Sequence, residues 1–148
     1  MVEVRVEWED RLKSPPIVQV PRNLLPQGMC FLTMIVYDSD RPFPQKRHAS
    51  PFVQYLCINK PASSAAADEL LRLGAPIEGE KLLPYVAPEC KQGVPHRIYV
   101  LVATSLSPVR FGQKLTRRDQ FDVRGFLKGL SLSVIYRGYF MEDSCHAE

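Results

Sequence analysis

Apolar and charged positions alternate from the first residues of the chain. Val2, Val4, Val6 and Trp8 are separated by Glu3, Arg5 and Glu7, which is the period-two signature of a strand with one buried face. Ser14-Pro15-Pro16 ends that run, and Ile17 to Val20 reads as a short second strand stopped by Pro21. Leu24 to Gly28 is a turn. Met29 to Tyr37 is almost continuously apolar, so it predicts a central strand covered on both faces. Asp38 to Pro51, with three prolines and several cations, predicts an exposed loop. Phe52 to Asn59 is the next strand, ended by Lys60-Pro61. Ser63 or Ser64 is placed to cap a short helix over Ala65 to Leu73, with Gly74 just past its end. Pro76 to Gly93 has no period and predicts irregular chain. Arg97 to Thr104 is a strong strand, and Ser105 to Arg118 is a polar loop. Asp119 or Asp122 caps a short helix through Lys128, stopped at Gly129, and Leu132 to Met141 is the last strand.

These elements give a mostly β chain of about six strands and two short helices, without internal repeats or a domain boundary, so residues 1–148 read as one domain. Thirteen prolines among 148 residues fit a fold with many connections between strands. Hydrophobic residues at 45% exclude disorder as the main state. A domain of this length builds its core without disulfides or metal. Cys30 and Cys57 sit inside apolar runs and read as small hydrophobes, and Cys90 and Cys145 add no paired spacing. A reducing, intracellular compartment is expected. The acidic start fits neither a secretory signal nor an Arg-rich transit peptide, and no apolar stretch approaches the length of a membrane span.

The chemistry-bearing residues are sparse. His48, His96 and His146 lie apart from one another and from the cysteines, without the spacing of a zinc site, so no metal and no cofactor are expected. Neither a G-x-S-x-G elbow nor an H-E-x-x-H helix occurs, and the eight glycines are spread singly rather than gathered in a phosphate loop. Two local features stand out. Tyr37-Asp38-Ser39-Asp40-Arg41-Pro42 leaves a strand with two carboxylates, and it reads either as an Asx-type turn or as the polar mouth of a pocket. Gly93-Val94-Pro95-His96-Arg97 enters a strand, with His96 either satisfied by a backbone carbonyl or serving as an anion ligand. The net charge of +3 permits contact with RNA or other anions without requiring it.

Several segments in order resemble the phosphatidylethanolamine-binding protein family, which includes the Raf kinase inhibitor proteins and the plant flowering regulators. Asp38-Ser39-Asp40-Arg41-Pro42 resembles its D-P-D-A-P segment. Phe52 to Pro61 is similar to its W-x-H-W-L-V-x-N-I-P strand, and Leu83-Pro84-Tyr85-Val86 to its L-x-x-Y-V-G-P approach. Val94 to Val102 resembles its G-x-H-R-Y-x-F-L-V strand, Phe121 to Phe126 its F-D-V-R-x-F helix, and Gly138-Tyr139-Phe140 its last strand. The resemblance implies a central β-sheet packed on a smaller sheet. It also implies a small pocket for a phosphate-like headgroup at one end, here formed by Asp38, Asp40, Gln54 and His96. Three departures weaken that pocket. Gln54 stands where the family has a histidine, Ile98 where it has a tyrosine, and Pro88-Glu89-Cys90-Lys91 where it has a Gly-Pro-Pro wall.

Losing two or three bonds to a charged ligand, each worth about 1.5–3 kcal/mol, lowers affinity by on the order of a hundredfold or more. Weak or no binding of a small anion is therefore expected. The reading that follows is a non-catalytic module, not an enzyme, acting as a scaffold subunit of a larger, most plausibly mitochondrial assembly. A large-subunit mitoribosomal protein of this fold is the example. Its expected partners are protein subunits, with ribosomal RNA as a further candidate. The expected contacts are Arg41, Lys46 and Arg47 in one loop and Arg110, Lys114, Arg117 and Arg118 in another. The alternative is a headgroup-binding or anion-binding regulator of kinases or proteases.

Overall fold

The computed structural model describes residues 3–8, 13–39, 51–65, 70–73, 79–87, 96–119 and 121–142. Eight strands and one α-helix occur among them, besides a single 3-10 turn at Arg22–Leu24: β1 (Arg5–Glu7), β2 (Ile17–Pro21), β3 (Met29–Asp38), β4 (Phe52–Ser63), β5 (Leu70–Leu73), β6 (Glu80–Leu83), β7 (His96–Ser105), α1 (Val123–Gly129) and β8 (Ser133–Glu142). The strands form two antiparallel sheets. One has three strands in the order β1-β2-β5, and the other has five in the order β6-β4-β3-β7-β8.

The apolar run of β3 has the predicted consequence. Cys30, Leu32, Met34 and Val36 face the small sheet and pack with Val18, Val20, Leu71 and Leu73. The intervening Ile35 and Tyr37 belong to a second apolar layer with Val123 and Phe126 of α1. Neighbouring β7 does the same, with Val100 and Val102 on one face and Leu101 on the other. On β4, Leu56, Cys57 and Ile58 are all buried, so both faces of the large sheet are covered at its centre. Val4, Val6 and Trp8 are only half-buried and pack at the margin of the small-sheet layer. Burial raises the pKa of both the Cys30 and the Cys57 thiols, which disfavours their reactive thiolates.

The structure corrects the sequence reading in three places. Leu70–Leu73 is a strand on the edge of β2 rather than the end of a helix over Ala65–Leu73. The triplet Leu71-Arg72-Leu73 is buried, exposed and buried in turn, a period of two that pairing with β2 satisfies and a helix would not. Lys60-Pro61 does not end β4, which runs on to Ser63 against β3. The pairing of β4 with β6 stops at Ile58, so Pro61 sits where β4 is an edge and its missing N–H is tolerated. Glu80–Leu83, inside the stretch read as irregular, is a strand on β4.

Bulges break the ladder at two places along β4. Leu32 pairs with Lys60 and Met34 with Cys57, so Ile58 and Asn59 oppose Thr33 alone. Asn59 takes a φ of 61° there, a left-handed conformation that asparagine tolerates better than most residues. Its side chain then acts as a strand of one residue. Nδ2 donates to the Val109 carbonyl at 2.9 Å and Oδ1 accepts from the Val109 N–H at 2.8 Å, which fastens the loop after β7 to the sheet. Gly79 approaches the same place with a φ of 130°, and a Cβ there would lie 2.6 Å from the Ile58 carbonyl oxygen. Gly79→Ala is expected to lower the unfolding free energy by about 1–3 kcal/mol, read from urea denaturation. Gly112→Ala, where a Cβ meets nothing within 4 Å, is expected to stay within about 0.5 kcal/mol of the parent.

Candidate functional site

Asp38 is the last residue of β3 and His96 the first of β7. The register pairs Asp38 with Ile98, so His96 lies two residues further along β7 on the face of Ile98 and Val100. Both side chains project from one end of the large sheet toward the small-sheet side. Asp38 Oδ2 and His96 Nδ1 are 2.6 Å apart, and both residues are buried. The sequence leaves Asp38 as an Asx-type turn or a pocket mouth, and His96 as the partner of a backbone carbonyl or of an anion. Instead, antiparallel registry brings together two residues 58 positions apart, and the carboxylate takes the place of a carbonyl as the histidine's partner.

Gln54 is created by the second bulge. Val36 pairs with Tyr55, and Tyr37 with Val53, which leaves Gln54 as the extra residue. The break also explains why Val53 and Tyr55, two residues apart, pack into opposite apolar layers. Gln54 is fully buried, and neither its Nε2 nor its Oε1 has a hydrogen-bond partner among the described residues. Its backbone is held firmly. The Gln54 carbonyl accepts from the Val86 N–H at 2.8 Å and from Arg118 at 3.1 Å.

Arg118 is the positioning residue of this end of the sheet. Its guanidinium also donates to the Val53 carbonyl at 3.3 Å and to the Pro84 carbonyl at 2.6 Å, and its own carbonyl accepts from the Val53 N–H at 2.8 Å. Partial burial lowers its pKa from the usual guanidinium value. The residue assigned to partner contact is thus committed to three carbonyls, while its neighbour Arg117 forms an exposed fork on Asp119 at 2.9 Å. That pair raises the pKa of Arg117 and lowers that of Asp119. Arg110 and Lys114 are exposed. Asp40, Arg41, Lys46, Arg47 and the Pro88–Lys91 segment lie outside the described residues.

The arrangement supplies an oriented imidazole, a carboxylate and a neutral amide. With Nδ1 bound to Asp38, His96 offers Nε2 to a third group, as acceptor when neutral and as donor when protonated. The departure expected at Ile98 takes a definite form, since the residue is fully buried in the small-sheet layer. A tyrosine there would overpack that layer. Among the described residues no group of three or more His, Cys, Asp or Glu side chains could hold a metal ion, and no helix is long and apolar enough to cross a membrane. The sequence offered no signal for the clamp by Arg118, because its carbonyl acceptors carry no residue-type signature.

No family model matches the chain, and no curated protein does. Solved structures do. The carboxypeptidase Y inhibitor, crystallised with its cognate proteinase, superposes with a TM-score of 0.74 at 17% identity, over 93% of this chain and 81% of that one. A phosphatidylethanolamine-binding protein from Plasmodium vivax gives 0.57 at 16% identity, over 88% and 72%. A putative homologue of such proteins from Chlamydia trachomatis gives 0.57 at 16% identity, over 95% and 90%. The shared property is the fold, a larger sheet packed on a smaller one.

Two substitutions test the buried polar groups. Gln54→Met keeps length and removes the orphan amide, so unfolding free energy is expected to rise by about 1–3 kcal/mol. His96→Ala removes the 2.6 Å contact to the buried Asp38 carboxylate and is expected to cost about 3 kcal/mol. Both are read by urea denaturation. A Gln54→Met protein that loses stability would show that the amide is partnered in solution.

Proposed function

We propose that this chain, which carries the phosphatidylethanolamine-binding-protein fold, is a non-catalytic interaction module with a weakened anion pocket, acting as a subunit of a larger assembly. One observation carries the reading. At the position where the resemblance puts a histidine, Gln54 is a neutral, fully buried amide without a partner. Asp38, Gln54 and His96 together then hold one carboxylate and at most one cation, so the three side chains sum to zero or minus one and offer an anion no net attraction. The second cation that a histidine could provide is missing.

Support for a protein partner comes from the carboxypeptidase Y inhibitor, a neighbour in fold that was crystallised bound to a proteinase. On this chain the exposed cations Arg110 and Lys114 are the described contacts for an acidic protein surface or for RNA phosphates. A mitochondrial assembly, with the mitoribosomal large subunit as its model, is the setting in which a non-catalytic member of this fold would be used as a scaffold. A second reading, a regulator that still captures a small anion, is favoured by the same amide, since neither of its buried polar atoms is taken by another group among the described residues.

Calorimetry separates the two. Phosphoethanolamine is expected to bind with Kd of about 1 mM or weaker, and Gln54→His to tighten it. Micromolar binding by the parent protein would favour the second reading. Native purification from the source is expected to recover the chain in a large particle, and recovery as a monomer would defeat the scaffold proposal. Release of the chain from that particle by nuclease would identify RNA contacts.

A further inference from the structure

A cleft opens on the helix side of the large sheet, the face opposite the Asp38–His96 pair. It has a volume of about 760 Å³ and lies between α1 and the β7–β8 side of the sheet. Apolar side chains line it, among them Leu101, Phe121, Leu127 and Val134, together with the guanidinium-bearing residues Arg97, Arg124 and Arg137. It shares no lining residue with the Asp38–Gln54–His96 end, because Tyr37 and Arg97 point away from their neighbours Asp38 and His96.

The polar groups of this cleft are biased toward donation. Arginines donate and cannot accept. Arg137 lies with its guanidinium carbon 4.8 Å from the centre of the Tyr99 ring, and that ring stacks on Tyr37 at 5.1 Å. Burial raises the pKa of the Tyr37 hydroxyl, while Arg137 and Arg124 lie near enough to oppose that as positive charges. Tyr37, on the lining of the cleft, adds a phenolic O–H that can donate. The single carboxylate on the lining, Asp122, is occupied as the cap of α1, where Oδ1 accepts from the Gly125 N–H at 2.9 Å.

A wall of donors with net positive charge, beside an apolar floor, selects a ligand with a compact acceptor-rich anion at one end and a hydrophobic body at the other. Guanidinium forks match the oxygens of a phosphate monoester, and the volume suits a small molecule rather than a chain. We infer that this cleft binds small phosphomonoesters with an apolar body, independently of the Asp38–His96 end.

Titration calorimetry at low salt tests this with four probes: phenyl phosphate, octyl phosphate, inorganic phosphate and phenol. At least one of the two esters is expected to bind about tenfold more tightly than either inorganic phosphate or phenol, and the better of the two identifies an aromatic or an aliphatic body. Arg124→Ala and, separately, Arg137→Gln are each expected to weaken that ester by about tenfold. Tyr37→Phe is expected to weaken it less. Lys128→Ala, a like change of charge on α1 outside the lining, is expected to leave it unchanged. Arg124 is exposed, so its variant reads binding without disturbing the core. Equal affinity for inorganic phosphate and the esters, loss of binding in Lys128→Ala, or no binding by either ester would overturn the assignment. So would ester binding that survives both arginine variants but is lost in His96→Gln, which would place the ligand at the other end of the sheet.

Discussion

Everything in this molecule depends on covering both faces of β3 at once. A ten-residue strand buried from Cys30 to Asp38 except at the half-exposed Phe31 cannot be satisfied by a single sheet, because its odd and even side chains point in opposite directions. The small sheet takes one set, through Val18, Val20, Leu71 and Leu73. A seven-residue helix and the loops around it take the other, through Val123, Phe126 and Phe121. The short helix suffices because rings extend its reach: Phe126 packs at 5.5 Å from both Phe111 and Phe121. The two layers set the places of both candidate sites, since one end of the sheet faces the small-sheet side and the Arg137 cleft opens on the helix side.

Bulges give this double-faced sheet its polar features. A regular β4 would keep Val53 and Tyr55 on one face and leave no surplus residue. The slip between Val36 and Tyr37 instead sends them to opposite layers and leaves Gln54 over. The same slip turns carbonyls toward the sheet margin, where Arg118 and the Val86 N–H meet them. Local disruption of the ladder and the unusual buried amide therefore have one origin.

The periodicity of the sequence revealed both the strands and the layers. The apolar run at Met29–Tyr37 identified a central strand and Arg97–Thr104 a strong one, and of the two candidate caps, Asp119 and Asp122, it is Asp122 that accepts from the Gly125 N–H at the start of α1. Leu71 and Leu73 were misread because three residues cannot settle a period against a capping serine and a following glycine, and the edge of β2 decided the matter. From the residues alone the site was legible only as residue types, and only the family resemblance grouped Asp38, Gln54 and His96 into one pocket. Asp38 and His96 drew attention by chemistry, but their pairing across 58 residues depends on strand registry, which no local pattern encodes. The Arg137 cleft was invisible because β3, β7, β8 and α1 each contribute one to three side chains to it.

Asn59 bears on how the molecule opens. A loop held only by its own backbone would exchange its amide hydrogens with solvent at nearly the rate of an unfolded chain. The Val109 N–H is instead held by a side chain rooted in β4, so its exposure to deuterium requires the loop to come away from Asn59 first. Protection of the stretch after β7 is thus tied to the sheet, and one carboxamide makes that tie.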